Sequence, residues 1–99
     1  MAKVNDTIAV IGAGLGALPI LRKAKEINIK TIAFGGADSL AKDVADIFVV
    51  ADIFDYEFII SECIKHNIKG IIASSEITTE VAAIIANKLN LPGNDISNG

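Results

Sequence analysis

At 99 residues the chain suffices for one domain that buries about 60–65% of its unfolded surface. Its 52% apolar content with only 5% aromatic residues is rich in Ile, Ala and Val, the composition of parallel strands covered by helices on both faces. A formal charge of −3, with no basic cluster larger than Arg22, Lys23 and Lys25, argues against both a nucleic-acid partner and an anionic membrane partner.

The run Ile8-Ala9-Val10-Ile11-Gly12-Ala13-Gly14-Leu15-Gly16-Ala17 opens the fold. Four apolar residues predict a buried strand over 7–11, three glycines a tight turn, and an apolar helical pattern a helix over 17–27. Pro19 is tolerated because it falls in the first turn. Leu18, Leu21, Ala24 and Ile27 mark the inner stripe of that helix, and Arg22, Lys23 and Lys25 its solvated face. The uncharged stretch 7–21 is no secretory segment, since Asp6 precedes it, glycines interrupt it and no cleavage site follows. It is also too short to span a bilayer.

Asn28-Ile29, Asn67-Ile68 and Asn90-Leu91 repeat one punctuation: a left-handed residue closing a helix, then an apolar residue folding back on it. Between these stops the pattern predicts a strand over 31–34 ending at Gly35-Gly36, a short helix over 39–45 and a strand over 47–50. A helix over 56–66 capped by Asp55, a strand over 70–74 and a helix over 77–89 complete it. Ile77, Val81, Ile84, Ile85 and Leu89 form the inner face of the last helix. Strands alternating with helices imply a three-layer α/β fold, an open parallel sheet of rudimentary Rossmann-like type with strand order 3-2-1-4. The domain is expected to occupy residues 1–95, with 96–99 beginning a linker to further domains, because four βα units are short for a doubly wound domain.

Ligands of open α/β sheets sit beyond the carboxyl ends of the strands, near the point where strand order reverses. Gly12, Gly14 and Ala17 fit the spacing of an anion-binding strand-to-helix turn, so Gly12, Gly14, Leu15 and Gly16 are candidate ligand contacts through backbone N–H groups. The same turn also serves as a close packing device. The other loops at that rim carry Asp38, then Asp52 and Asp55, then Ser74, Ser75 and Glu76 with Glu80 behind; Lys30, Lys65, Lys69 and Lys88 fall at the opposite edge. Helix-dipole matching explains most of these charges, at about 0.3–1 kcal/mol each. What remains is a small site of amide donors beside carboxylates, suited to a zwitterion or an amine-bearing acid and poorly to a polyanion. A dinucleotide site would require an acid about 20 residues past the glycines to hold the ribose, where this chain has Gly35-Gly36. His66 reads as a helix-end residue, Cys63 as core, and Ser74 and Ser75 as helix-starting residues as much as ligand contacts. One cysteine permits no internal disulfide and fits a reducing, cytoplasmic setting.

Four pieces in this order resemble the N-terminal domain that precedes the ATP-binding part of ATP-grasp ligases, the superfamily that includes carbamoyl phosphate synthase, biotin carboxylase and amino-acid ligases. They are Ile8-Ala9-Val10-Ile11-Gly12-Ala13-Gly14, Ala45-Asp46-Ile47-Phe48-Val49-Val50, Gly70-Ile71-Ile72-Ala73-Ser74-Ser75 and Leu89-Asn90-Leu91-Pro92-Gly93. The resemblance implies that Gly12, Gly14, Leu15 and Gly16, with Ser75 and Glu76, face a small carboxylate or amine substrate. It places ATP and Mg²⁺ in downstream domains of the same polypeptide, where the carboxylate becomes an acyl phosphate, and assigns no catalytic or metal-binding residue to this chain. Gly35-Gly36-Ala37-Asp38 departs from the acidic turn of many relatives. Two other readings stay open: a small nucleotide-binding (NAD-type) regulatory domain, and an interaction module that uses the fold as a scaffold.

Overall fold

The computed structural model describes residues 6–91, and the expectations for 92–99 lie outside them. The element order is β1 (Thr7–Ile11), α1 (Ala17–Glu26), β2 (Lys30–Gly35), a 3-10 turn (Leu40–Asp43), β3 (Ile47–Val50), α2 (Tyr56–Lys65), β4 (Gly70–Ala73) and α3 (Glu76–Leu89). All strand pairs are parallel, in the order β3-β2-β1-β4, as the sequence predicts. Ile11 pairs with Phe34 on one side and Ala73 on the other, so the carboxyl ends of the three strands finish level.

Strand alternation divides the core into two faces. Ala9, Ile11, Ile32, Phe34, Ile71 and Ala73 point to one side, where Ile59 and Cys63 of α2 and Val81, Ile85 and Ala86 of α3 cover them. Val10 and Ala33 point to the other, under Ala17 and Leu21 of α1 and Ala41 of the 3-10 turn. Small side chains on that second face bring α1 close to the sheet, and Leu21, Val10 and Ala17 are wholly buried.

The asparagine stops form as expected. Asn28, Asn67 and Asn90 have φ of 61°, 52° and 58°. After each, the next residue's N–H returns to the carbonyl five residues back: Ile29 to Ala24 at 2.9 Å, Ile68 to Cys63 at 3.2 Å and Leu91 to Ala86 at 2.9 Å. Asparagine tolerates the left-handed region, so each helix ends sharply and the chain changes direction there.

Three local expectations are corrected. Ile27 is not part of the inner stripe of α1: it is 45% exposed and forms the C-cap, because the turn at Asn28 swings the chain away and Ile29 folds back instead. Ile77 is not on the inner face of α3 but 70% exposed. The first turn of that helix projects past the end of the sheet, and Thr78 takes the buried position. The helix expected over 39–45 is a single 3-10 turn, anchored where Ala41 N–H donates to the Ala13 carbonyl at 3.0 Å.

Candidate functional site

The loops after β1 and β4 meet where strand order reverses, and Ser74 joins them. Its N–H and its hydroxyl both donate to the Ile11 carbonyl, at 3.2 and 2.8 Å. Gly12 follows with φ +90°; a Cβ there would lie 2.5 Å from Ser74 Oγ and 3.0 Å from Thr78 Cγ2. A Cβ on Gly16 would collide with the Ser74 carbonyl oxygen. Gly12 and Gly16 are therefore glycines for packing reasons, which is half of what the sequence left open.

Gly14 is different. A Cβ there would meet nothing within 4 Å, and the residue is exposed with no left-handed φ. No contact within the described chain requires glycine at this position. Beside it, Leu15 is 74% exposed. Carbonyls of the loop are engaged, with Ala17 N–H donating to Gly14 at 3.0 Å and Leu18 N–H to Leu15 at 3.2 Å. The N–H groups of Gly14, Leu15 and Gly16 have no acceptor among the described residues. They are the donors that a helix N-terminus leaves over.

The other two α-helices carry side-chain acceptors at their starts. In α2, Asp55 caps Phe58 N–H at 3.4 Å and Glu57 sits in the first turn. In α3, Ser75 is the N-cap, and Thr78 Oγ1 accepts from the N–H groups of Ser74 at 3.0 Å and Ser75 at 2.9 Å, with Glu76 in the first turn. By contrast α1 has Gly16 as its N-cap, with no side-chain cap bond and no acid in its first turn. The positive end of its dipole lies at the switch point, and these three amides have no acceptor there among the described residues.

The six sequence-derived candidates thus share one end of the molecule. Gly14, Leu15 and Gly16 present the donors, Gly12 holds the turn, and Ser75 and Glu76 stand on the neighbouring loop. Glu76 is exposed at the start of α3. The loop after β2 contributes packing instead: a Cβ on Gly35 would lie 2.7 Å from Ala13 Cβ and 3.0 Å from Ser39 Oγ. That close approach explains the glycine found where a dinucleotide site would carry its ribose-binding acid.

Away from the rim, His66 is the C-cap of α2, with Nε2 3.8 Å from Glu62 Oε1. Cys63 is buried, and burial, then the charge of Glu62, push its thiol up to about 12. Neither faces the candidate site. No group of three or more His, Cys, Asp or Glu among the described residues could hold a metal ion, and none of their helices is long and apolar enough to cross a membrane.

Sequence reading missed the apolar side chains at the same rim. Leu40, Val50, Phe54 and Phe58, together with Leu15 and Ile77, are exposed there. Their signal was placement: each lies at a strand end, in a loop or in the first turn of a helix.

No family profile and no curated protein matches the chain. Solved structures do. N5-carboxyaminoimidazole synthetase from Staphylococcus aureus superposes with a TM-score of 0.77 at 19% identity, over 93% of this chain and 24% of that one. Phosphoribosylglycinamide synthetase from Anaerococcus prevotii gives 0.76 at 27% identity, over 87% and 23%. An enzyme of Bordetella bronchiseptica in complex with NAD⁺ gives 0.68 at 13% identity, over 87% and 36%. The chain spans about a quarter of the length of the two synthetases.

Proposed function

We propose that this chain is the substrate-side N-terminal domain of an ATP-dependent carboxylate–amine ligase or a related carboxylate–thiol ligase, because the synthetases among the solved structures it resembles are ATP-grasp ligases and it covers their N-terminal region. The observation that carries the proposal is the uncapped start of α1, where, among the described residues, the amides of Gly14, Leu15 and Gly16 lack acceptors and nothing packs against Gly14 to require glycine. These amides and the helix dipole would favour an oxyanion there, and Ser75 and Glu76 on the neighbouring loop would serve a hydroxyl or an amine. The whole protein would activate a carboxylate as an acyl phosphate and pass it to the amine.

On this reading ATP and Mg²⁺ would be held by polypeptide outside this domain, and the chain alone is expected to be inactive. The resemblance to an NAD⁺ complex is one of fold, and the packed Gly35 with Gly36 in place of an acid weighs against a dinucleotide.

The test is ADP release from the protein encoded by the full reading frame, measured over a panel of carboxylates and amines. Gly14→Asp adds a carboxylate at a position where a Cβ meets nothing within 4 Å. It should raise KM for the acid at least tenfold, about 1.4 kcal/mol of binding, with KM for ATP unchanged. ADP release independent of any acid, an unaltered KM for the acid, or a reading frame that closes after Gly99 would contradict the proposal.

A further inference from the structure

Thr31 and Thr78 are the buried polar side chains among the described residues. Asp46 answers the first. Thr78, 4% exposed, lies at the rim and touches both loops of the candidate site. Its hydroxyl serves the loop after β4: Oγ1 accepts from Ser74 N–H at 3.0 Å and Ser75 N–H at 2.9 Å, and donates to the Ser75 carbonyl at 3.0 Å. Its methyl serves the turn after β1, since a Cβ on Gly12 would lie 3.0 Å from Thr78 Cγ2.

Ser74 completes the bridge. In the turn from β1 into α1, Gly12 and Gly16 have no room for a Cβ, and Ser74 is the obstacle at both, through Oγ for Gly12 and through its carbonyl oxygen for Gly16. Ser74 is itself held from two sides: its N–H reaches Thr78 Oγ1 and the Ile11 carbonyl, and its hydroxyl donates to that same carbonyl at 2.8 Å. The contacts therefore run from Thr78 to Ser74 and from Ser74 to both ends of the glycine turn. A helix-starting role alone would require less. A capping box needs only the bond from Thr78 back to the N-cap, Ser75. The further bond to Ser74 and the methyl against Gly12 both reach outside α3, and groups packed this closely transmit a displacement instead of absorbing it.

We infer that Thr78 is a positioning residue: through Ser74 it locks the loop after β4 to the turn Gly12–Gly16, so that the two rim loops keep or lose their shape together. Its bearing on substrate rests on the proposed role of that turn; the coupling itself is a property of the loops.

Amide hydrogen exchange on the ¹⁵N-labelled 99-residue chain reads the coupling without a ligand. The N–H groups of Gly12, Ala17 and Leu18, bonded to the Phe34, Gly14 and Leu15 carbonyls, report the turn. Those of Ser74 and Ser75 report the loop after β4, and those of Ala51 and Ile68, bonded to the Gly35 and Cys63 carbonyls, report the rest of the fold. Thr78→Val keeps the volume and a methyl over Gly12 and removes the hydroxyl. It should speed exchange at Gly12, Ala17 and Leu18 by about tenfold beyond any change at Ala51 and Ile68, in step with Ser74 and Ser75. Thr78→Ser restores the hydroxyl and should return all five to within about threefold of wild type. Ser74→Ala leaves the Thr78 hydroxyl in place and should loosen the same three turn amides, which keeps the test open where Thr78→Val does not fold. Propionate supplies the second readout: its Kd should rise about fivefold in Thr78→Val and recover in Thr78→Ser.

Faster exchange confined to Ser74, Ser75 and α3 would make Thr78 a helix-starting residue and overturn the inference. A uniform increase shared by Ala51 and Ile68, or an unaltered propionate Kd in a loosened Thr78→Val, would overturn it as well. A wild-type chain that ignores propionate while the two loops still loosen together would overturn the proposed anion site and leave the coupling standing.

Discussion

Ser74 closes over Gly12: its hydroxyl donates to the Ile11 carbonyl at 2.8 Å, and a Cβ on Gly12, at φ +90°, would stand 2.5 Å from that same Oγ. Left-handed strain and overpacking then add, so Gly12→Ala should cost about 2–4 kcal/mol in urea unfolding. Ser74→Ala alone should cost about 1 kcal/mol for the lost hydrogen bond. Removing Oγ also removes the nearer clash, so the double variant should be less destabilised than the sum of the two. Strict additivity would show that the two residues do not share this contact.

Gly14 and Gly16 should part company under one methyl group. Gly16→Ala forces the backbone at Ser74 to move and should destabilise by more than about 1 kcal/mol, in the range of core overpacking. Gly14→Ala meets open space and should stay within about 0.5 kcal/mol of wild type. Thermal unfolding of the two variants side by side checks this.

Asp46 clasps the buried Thr31 at the start of the sheet. Its Oδ2 accepts from Thr31 N–H at 2.9 Å and from Thr31 Oγ1 at 3.4 Å, and its own N–H donates back to Thr31 Oγ1 at 3.2 Å. Asp46→Ala strands the Thr31 N–H and should cost about 1–3 kcal/mol. The neighbouring ion pair, Lys25 Nζ to Asp46 Oδ1 at 3.4 Å, is half exposed, so Lys25→Ala should cost under about 1 kcal/mol. Denaturant midpoints of the two variants separate the contributions.

The Cys63 thiol, held up to about 12 by burial and then by Glu62, keeps its proton in the folded state. An ordinary thiol near 9 ionises earlier once unfolded. The folded state therefore binds the proton more tightly, and this contribution is intact below pH 9 and falls away as pH rises from 9 toward 12. The stability gap between wild type and Cys63→Ala should shift accordingly, moving against wild type above pH 9. At about pH 8, below the ordinary thiol range, the native thiol should react with a disulfide reagent only at the rate of unfolding.

Much of this architecture was legible because its signals are local. The apolar runs at 7–11 and 47–50 and the stops at Asn28, Asn67 and Asn90 each act within a few residues, and together they imply the strand order observed. The candidate loops after β1 and β4 were legible for the same reason, since topology alone brings them to one rim. Long-range and terminal features stayed hidden. The Asp46–Thr31 clasp and the Ser74–Ile11 bond join segments with no shared local pattern. Ile77 continues the spacing of Val81, Ile84 and Ile85, and nothing in that spacing tells that the sheet ends beneath it. The division of labour among the glycines was hidden too, since Gly12, Gly14 and Gly16 look alike until their neighbours are placed.

We propose the turn from β1 into α1 as an anion half-site for a carboxylate. Titrating the ¹⁵N-labelled chain with propionate, in the presence and absence of NAD⁺, tests it most directly. The amides of Gly14, Leu15 and Gly16 should move together and saturably with propionate and be indifferent to NAD⁺. Micromolar capture of NAD⁺ at those amides, or propionate shifts that bypass all three, would contradict it.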